Sequence, residues 1–347
     1  MRPLIFLSLS WLLCFCKNDA NGNLKVMADH TAMYDAAGLH SNKLKELKAG
    51  EVVHELGIVG PFESAIEWHG AWLQSPWIRV QSDGGAGWVM AALLKPSTGV
   101  DHANWLRNKR LVCYFGASQA HRYTYWISGA SDIQTDAQMA SWYSEGVALR
   151  DTFMYLLSQR AEPSEQATAL SYNWMREVLP GYIAQKVPNR ISPFLFADYG
   201  YWLQEAQKTT GDADDQFFEI CTTLFPYDHI ESFFPVWKFQ LDDQSSVSQL
   251  GSGKHLQVLR LLEEKSRGLE VFHTELIRIK NQLLDDIAGK DIGYWQNEEK
   301  ILAELDEISK SNFSILDKND QLVIQTRMNM FADPQANGIR VNLRSGL

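Results

Sequence analysis

Residues 77–96 read WIRVQSDGGAGWVMAALLKP, and this stretch decides the fold expected of the N-terminal part of the chain. Ile78 and Val80 alternate with Trp77, Arg79 and Gln81, the period of a pleated strand whose two faces differ in character. Asp83-Gly84-Gly85 supplies residues that tolerate a left-handed backbone, so a tight hairpin is expected there. Gly87 removes a side chain just before Trp88 and Val89, which leaves room for another backbone to come close. Pro96 cannot donate to a sheet ladder and marks the end of the unit.

Outward from that hairpin the same grammar continues. Leu24-Lys25-Val26-Met27-Ala28 predicts an opening strand, residues 31–34 a second extended piece, and residues 35–38 a turn. Leu47 leads into the turn Lys48-Ala49-Gly50-Glu51, and Val52-Val53-His54-Glu55-Leu56 follows as a strand. Residues 44–55, with Leu47, Gly50 and Val53, and residues 77–94, with Trp77, Val80, Gly84, Gly87, Trp88, Val89 and Leu94, carry a resemblance to the bacterial SH3-like (SH3b) domain family. Residues 31–38, TAMYDAAG, stand where the family has a different conserved segment, and an insertion with Trp68, His69 and Trp72 lengthens a loop. The resemblance implies a small SH3-like β-barrel over residues 24–96 that binds a cell-wall, peptide or protein ligand. Trp68, Trp72, Trp77 and Trp88 are its candidate binding residues. Exposed in a groove they form a stacking platform; buried they are core, and core is the place expected of Trp88.

The N-terminus reads as an export segment. Arg2 precedes the apolar run of residues 4–13, which is too short to span a bilayer. Leu13-Cys14-Phe15-Cys16 resembles the lipobox of bacterial lipoproteins, which implies removal of residues 1–15, lipid attachment at Cys16 and a tether over residues 16–23. The alternative is an uncleaved hydrophobic anchor. Formal charge is −10, or −11 without residues 1–15, which argues against nucleic acid and anionic lipid surfaces as partners. The expected place is the bacterial cell envelope, with the membrane reached through the N-terminal lipid. No cofactor is expected.

After a linker at residues 97–110, residues 111–347 predict a mainly helical domain, so the fold class is α+β multidomain. Residues 111–116, LVCYFG, read as one more strand or a buried connector. Trp142, Val147, Leu149, Phe153, Leu156 and Leu157 share a helical face, as do Leu170, Trp174, Met175 and Val178 up to the stop at Pro180-Gly181. Residues 194–207 and 214–224 are further helical candidates. Leu269, Phe272, Leu276, Ile279 and Leu283 form one stripe, and Trp295, Ile301, Leu302, Leu305 and Ile308 another, predicting an antiparallel helical hairpin at about residues 255–310. The tail from Leu322 reads as irregular or β-like.

Few residues of the chain fall into patterns that carry chemistry. The nine histidines show no metal spacing, and there is no nucleophile elbow or phosphate loop. Cys113 and Cys221 either pair in a disulfide or are buried thiols; their neighbours do not resemble the cysteine peptidases that accompany SH3b domains. Ile230-Glu231-Ser232-Phe233-Phe234-Pro235 is similar to the start of lytic transglycosylase domains, which implies Glu231 as a general acid, but the spacing is one residue short and the following glycine-rich motif is missing. The expected function is a non-enzymatic, lipid-anchored envelope protein, with a cell-wall hydrolase acting through Glu231 as the alternative.

Overall fold

The computed structural model describes residues 22–68, 70–97, 99–160, 170–185, 193–241, 245–289 and 292–343. The expected export segment with Cys16 lies outside them. The chain divides into two compact units, the first holding residues 22–120 with Leu170 and the second the described residues from His121 onward.

The first unit is built on β1 (Asn23–Val26), β2 (Thr31–Tyr34), β3 (Lys43–Leu47), β4 (Val52–Trp68), β5 (Ala71–Ser82), β6 (Gly85–Met90) and β7 (Leu94–Pro96). They form one antiparallel sheet in the order β3-β2-β6-β5-β4-β1-β7, curled into a half-barrel. β5 and β6 pair from Trp77↔Met90 to Ser82↔Gly85, with Asp83-Gly84 as the turn that the sequence calls for. Ile78 and Val80 join Leu24, Val26, Leu47, Val53, Val89 and Leu94 in one core cluster. Trp77 points the other way and is equally buried, in a second cluster with Met90 and Leu93. β5 is therefore covered on both faces. At Gly87 an added Cβ would stand 2.5 Å from Met33 Cγ and 2.9 Å from the Tyr34 carbonyl oxygen, so the expected close approach is the one to β2.

The insertion around Trp68 and Trp72 corrects the expectation of a longer loop. β4 runs for 17 residues and β5 for 12. Their ladder continues from Glu63↔Pro76 to Trp68↔Ala71. Ile66, Trp68 and Leu73 keep one face of the extension apolar against the second cluster, which rewards pairing over an open loop.

The expected linker at residues 97–110, from His102 onward, and the strand or buried connector expected at residues 111–116 are instead helix. α1 (His102–Ser128) opens with the Asp101 side chain accepting from the Asn104 N–H at 2.9 Å, and it includes residues 111–116. A continuous apolar run such as LVCYF fits a strand or a buried helix equally by pattern, and the helical cap upstream settles it. Gly116, at φ 77°, kinks the helix. The residues of α1 in the first unit also neutralise two glutamates that β4 buries. Lys109 bonds Glu55, whose other oxygen accepts from Trp105 Nε1 at 3.2 Å. Arg110 Nε donates to Glu63 at 3.0 Å and the Tyr114 hydroxyl donates to it at 3.1 Å.

In the second unit, α2 (Asp136–Gln159) starts on a capping box made by Thr135 and Gln138. Trp126 of α1 stacks on Trp142 of α2 at 5.1 Å, and each indole N–H donates to the other residue's carbonyl, at 3.1 and 3.3 Å. The expected segment ending at Pro180 is described as the short helix α3 (Trp174–Val178). β8 (Tyr182–Gln185) then pairs with β9 (Phe194–Ala197). The helix expected from residue 194 is thus shortened to α4 (Tyr199–Ala206): Phe194-Leu195-Phe196-Ala197 takes the ladder, and the Asp198 side chain caps α4 through the Tyr201 N–H. α5 (Ala213–Leu224) follows as expected.

β10 (Lys238–Gln240) pairs with β11 (Ser246–Ser248), ahead of α6 (Lys254–Ser266), α7 (His273–Ala288), α8 (Glu298–Lys310) and α9 (Lys318–Met330). The stripe from Leu269 to Leu283 is buried throughout. The predicted hairpin is corrected, because α7 packs mainly on α6 and α9, and α8 on the same two helices. α9 replaces the irregular tail expected from Leu322, starting on a capping box of Asp317 and Asp320. Its inward face includes Arg327, whose guanidinium donates to the Tyr294 hydroxyl, so no apolar stripe announces it.

Candidate functional site

The four tryptophans do not assemble into one platform. Trp77 is 0% exposed, with its Nε1 donating to Ser64 Oγ at 2.9 Å and Tyr34 edge-on at 5.4 Å. Trp68 and Trp88 are half-buried against the same cluster. Only Trp72 of the four stands in solvent, at 73% exposure. Strand alternation explains the split: Leu73 and Trp77 share the face that the small cluster covers, and Trp72 projects from the opposite one. Among the described residues neither Cys113 nor Cys221 forms a disulfide, and both are buried. Burial pushes the Cys221 thiol well up, with the nearby Glu231 adding to it, which keeps it protonated and unreactive.

Glu231 lies in a segment that concentrates unusual geometry. Residues 226–235, PYDHIESFFP, connect α5 to β10. Asp228, His229, Ser232 and Phe234 hold φ values of 50°, 55°, 60° and 45°, the left-handed region that costs a non-glycine residue about 1–3 kcal/mol. Backbone bonds hold the segment in this shape. Tyr199 N–H donates to the His229 carbonyl at 2.9 Å, Glu231 N–H to the Ala197 carbonyl at 3.0 Å, and Phe233 N–H to the Ile230 carbonyl at 3.1 Å.

The Glu231 side chain completes the clamp. Its Oε2 accepts from the Ala197 N–H at 3.1 Å and from the Arg150 guanidinium, whose Nη2 also reaches Asp151 at 2.9 Å. Arg278 Nη1 sits 4.0 Å from Glu231 Oε1 and 3.2 Å from Glu275 Oε2. Burial raises the Glu275 carboxyl above its ordinary range; Arg278 opposes that rise and the charge of Glu231 adds to it. The result is a cluster of paired charges in which Glu231 serves as acceptor and tie between β9, α2 and the loop.

Three recesses flank the loop. One of about 370 Å³ is lined by Arg150, Met154, Phe196, Glu231, Ser232 and Arg278, among others. A second, of about 420 Å³, is formed by Pro226, Tyr227, Phe234 and Gln240. The third, of about 190 Å³, includes Ser232, Phe234, Lys238, Gln240, Ser245 and Ser246. Ser232 borders the first and third, and Phe234 with Gln240 borders the second and third. Tyr227, Phe233 and Phe234 pack edge to face, with centroids 4.2 Å apart for Phe233–Phe234 and 4.8 Å for Tyr227–Phe234.

Glu231 stands out by its sequence context, whereas the residues around it do not. Arg150 lies 81 positions upstream, a pairing that no local pattern encodes. The loop itself did carry a signal, an aromatic-rich run closed at each end by proline and short of glycine. Among the described residues no helix is long and apolar enough to cross a membrane, and no three His, Cys, Asp or Glu side chains are grouped to hold a metal ion. No protein-family model, no curated protein and no solved structure matches this chain.

Proposed function

We propose that the protein is an exported, non-catalytic binding protein of the bacterial cell envelope, held at the membrane by lipid on Cys16, whose curled N-terminal sheet is an SH3-like module for a cell-wall, peptide or protein ligand. The observation that carries binding over hydrolysis is the engagement of Glu231. A general acid presents a proton to its substrate, whereas Oε2 of Glu231 accepts from a guanidinium and a backbone N–H at once. The exposed Trp72 on the long β4–β5 hairpin supports a contact role for the sheet, since tryptophan is enriched among the residues that carry most of an interface's binding energy.

The test uses the full chain, expressed with its export segment in a bacterial host, against purified peptidoglycan sacculi. Co-sedimentation that drops severalfold in Trp72→Ala, with no clearing of the sacculi over hours, is the expected result. Clearing that Glu231→Gln abolishes would establish the hydrolase instead. A Cys16→Ser variant that keeps the mature mass and detergent partitioning of the parent chain would remove the lipid anchor from the proposal.

A further inference from the structure

We infer that the recesses along residues 226–235 form a second binding site, in the helical unit, for a neutral oligosaccharide chain. The cations lining these recesses face carboxylates already: Arg150 meets Glu231 and Asp151, Arg278 lies 3.2 Å from Glu275, and Lys238 Nζ lies 3.5 Å from Asp286. A site of this kind offers no unmatched charge of either sign, which disfavours an anionic or cationic ligand.

Short-range polar capacity is what it does offer. Arg278 Nη1 is buried and faces Glu275 Oε2 at 3.2 Å without a well-directed hydrogen bond, so a neutral acceptor such as a hydroxyl would add the directed bond that the ion pair does not supply. Ser232, Ser245, Ser246, Gln240 and Gln282 supply hydroxyls and amides around the three recesses. Apolar ring faces complete the set. Tyr227 is 54% exposed and braced edge-on by Phe234, which gives a rigid aromatic surface at little cost in conformational entropy. Hydroxyl partners beside flat apolar rings match the two kinds of surface on a sugar, its equatorial hydroxyls and its C–H face. Because neighbouring recesses share Ser232, Phe234 and Gln240, the ligand is a chain of several residues rather than one small molecule. The left-handed turns at Ser232 and Phe234 hold these groups in position before the ligand arrives.

The site depends on neither Cys16 nor Trp72, so it stands or falls separately from the sheet's proposed role. Isothermal titration of the full chain with the tetramer of β-1,4-linked N-acetylglucosamine is expected to saturate. Tyr227→Ala should weaken it about tenfold, while Tyr227→Phe, which keeps the ring, should restore it to within about twofold of the parent. Circular dichroism of each variant checks that the fold is kept. Absence of saturable binding at millimolar tetramer, equal affinity of Tyr227→Ala and the parent, or Tyr227-dependent binding of a tetra-alanine peptide in place of the sugar would each overturn the proposal.

Discussion

In the sheet unit, Asp35, Glu46 and Glu51 lie below the ordinary carboxylate range, while in the helical unit Asp214, Asp215 and Glu275 lie above it. The Lys43 side chain, helped by His30, brings Glu46 down to about 2. The Asn42 amide lowers Asp35, and for Glu51 the Lys48 N–H and Lys45 outweigh a burial effect of opposite sign. Burial comes first for all three helical carboxylates. Asp35 and Glu46 stand in solvent, so their donors act with little opposition, whereas Asp214 is buried and stays raised although Thr209 and the Asp215 N–H donate to it. Asp317, the N-cap of α9, lies below the ordinary range because the backbone N–H of Asp320, joined by that of Asn319, outweighs the effect of burial there.

This contrast can be broken most forcefully at the buried pair of the sheet unit. Lys109 is 5% exposed and Glu55 1%, so Lys109→Ala strands a buried carboxylate and should cost about 3–5 kcal/mol in denaturant unfolding. The double variant Glu55→Leu/Lys109→Met should recover most of that loss; if it does not, the pair contributes more than the removal of charge explains. Next in size, Gly146→Ala tests the tightness of the aromatic core in the helical unit. An added Cβ there meets Trp126 Cζ2 at 2.7 Å, and overpacking of about 1–3 kcal/mol is expected from the same measurement.

Thr135→Ala removes the side-chain half of the α2 capping box and should cost about 1 kcal/mol. The smallest effect concerns pH. Glu275 binds its proton more tightly folded than unfolded, so its contribution favours the folded state below pH 4.5, the ordinary value, and declines as pH rises through the raised folded value. Glu46 has the opposite sign: its contribution is present above 4.5 and is lost as pH falls toward 2. Stability profiles of Glu275→Gln and Glu46→Gln should therefore depart from the parent in opposite senses; departures of the same sense would contradict the contrast between the units.

How much of this was legible depended on how local the cause was. The Asp83-Gly84 hairpin and the alternation of Ile78 with Val80 involve neighbours in sequence, and both elements formed where they were read. Residues 102–116 were misread because LVCYF has no period of its own and the helical cap at Asp101 lies outside it. The hairpin extension at Trp68 and Trp72 was misread because its ladder draws on Ile66 and Leu73 packing against a cluster assembled from several strands. Glu231 drew attention through its sequence context, but its role as a tie was invisible without Arg150.

The sequence by itself determined the alternation and turns of the sheet unit and the stripe from Leu269 to Leu283 that the fold buries. The tertiary structure decided which tryptophan stays in solvent, which cations meet Glu55, Glu63 and Glu231, and how α6 and α9 come between the two helices expected to pair. The physical reason is range. Propensity, capping and turn chemistry act within a few residues, whereas an ion pair across 54 positions or a ring packed from another element is selected only once the chain has closed on itself.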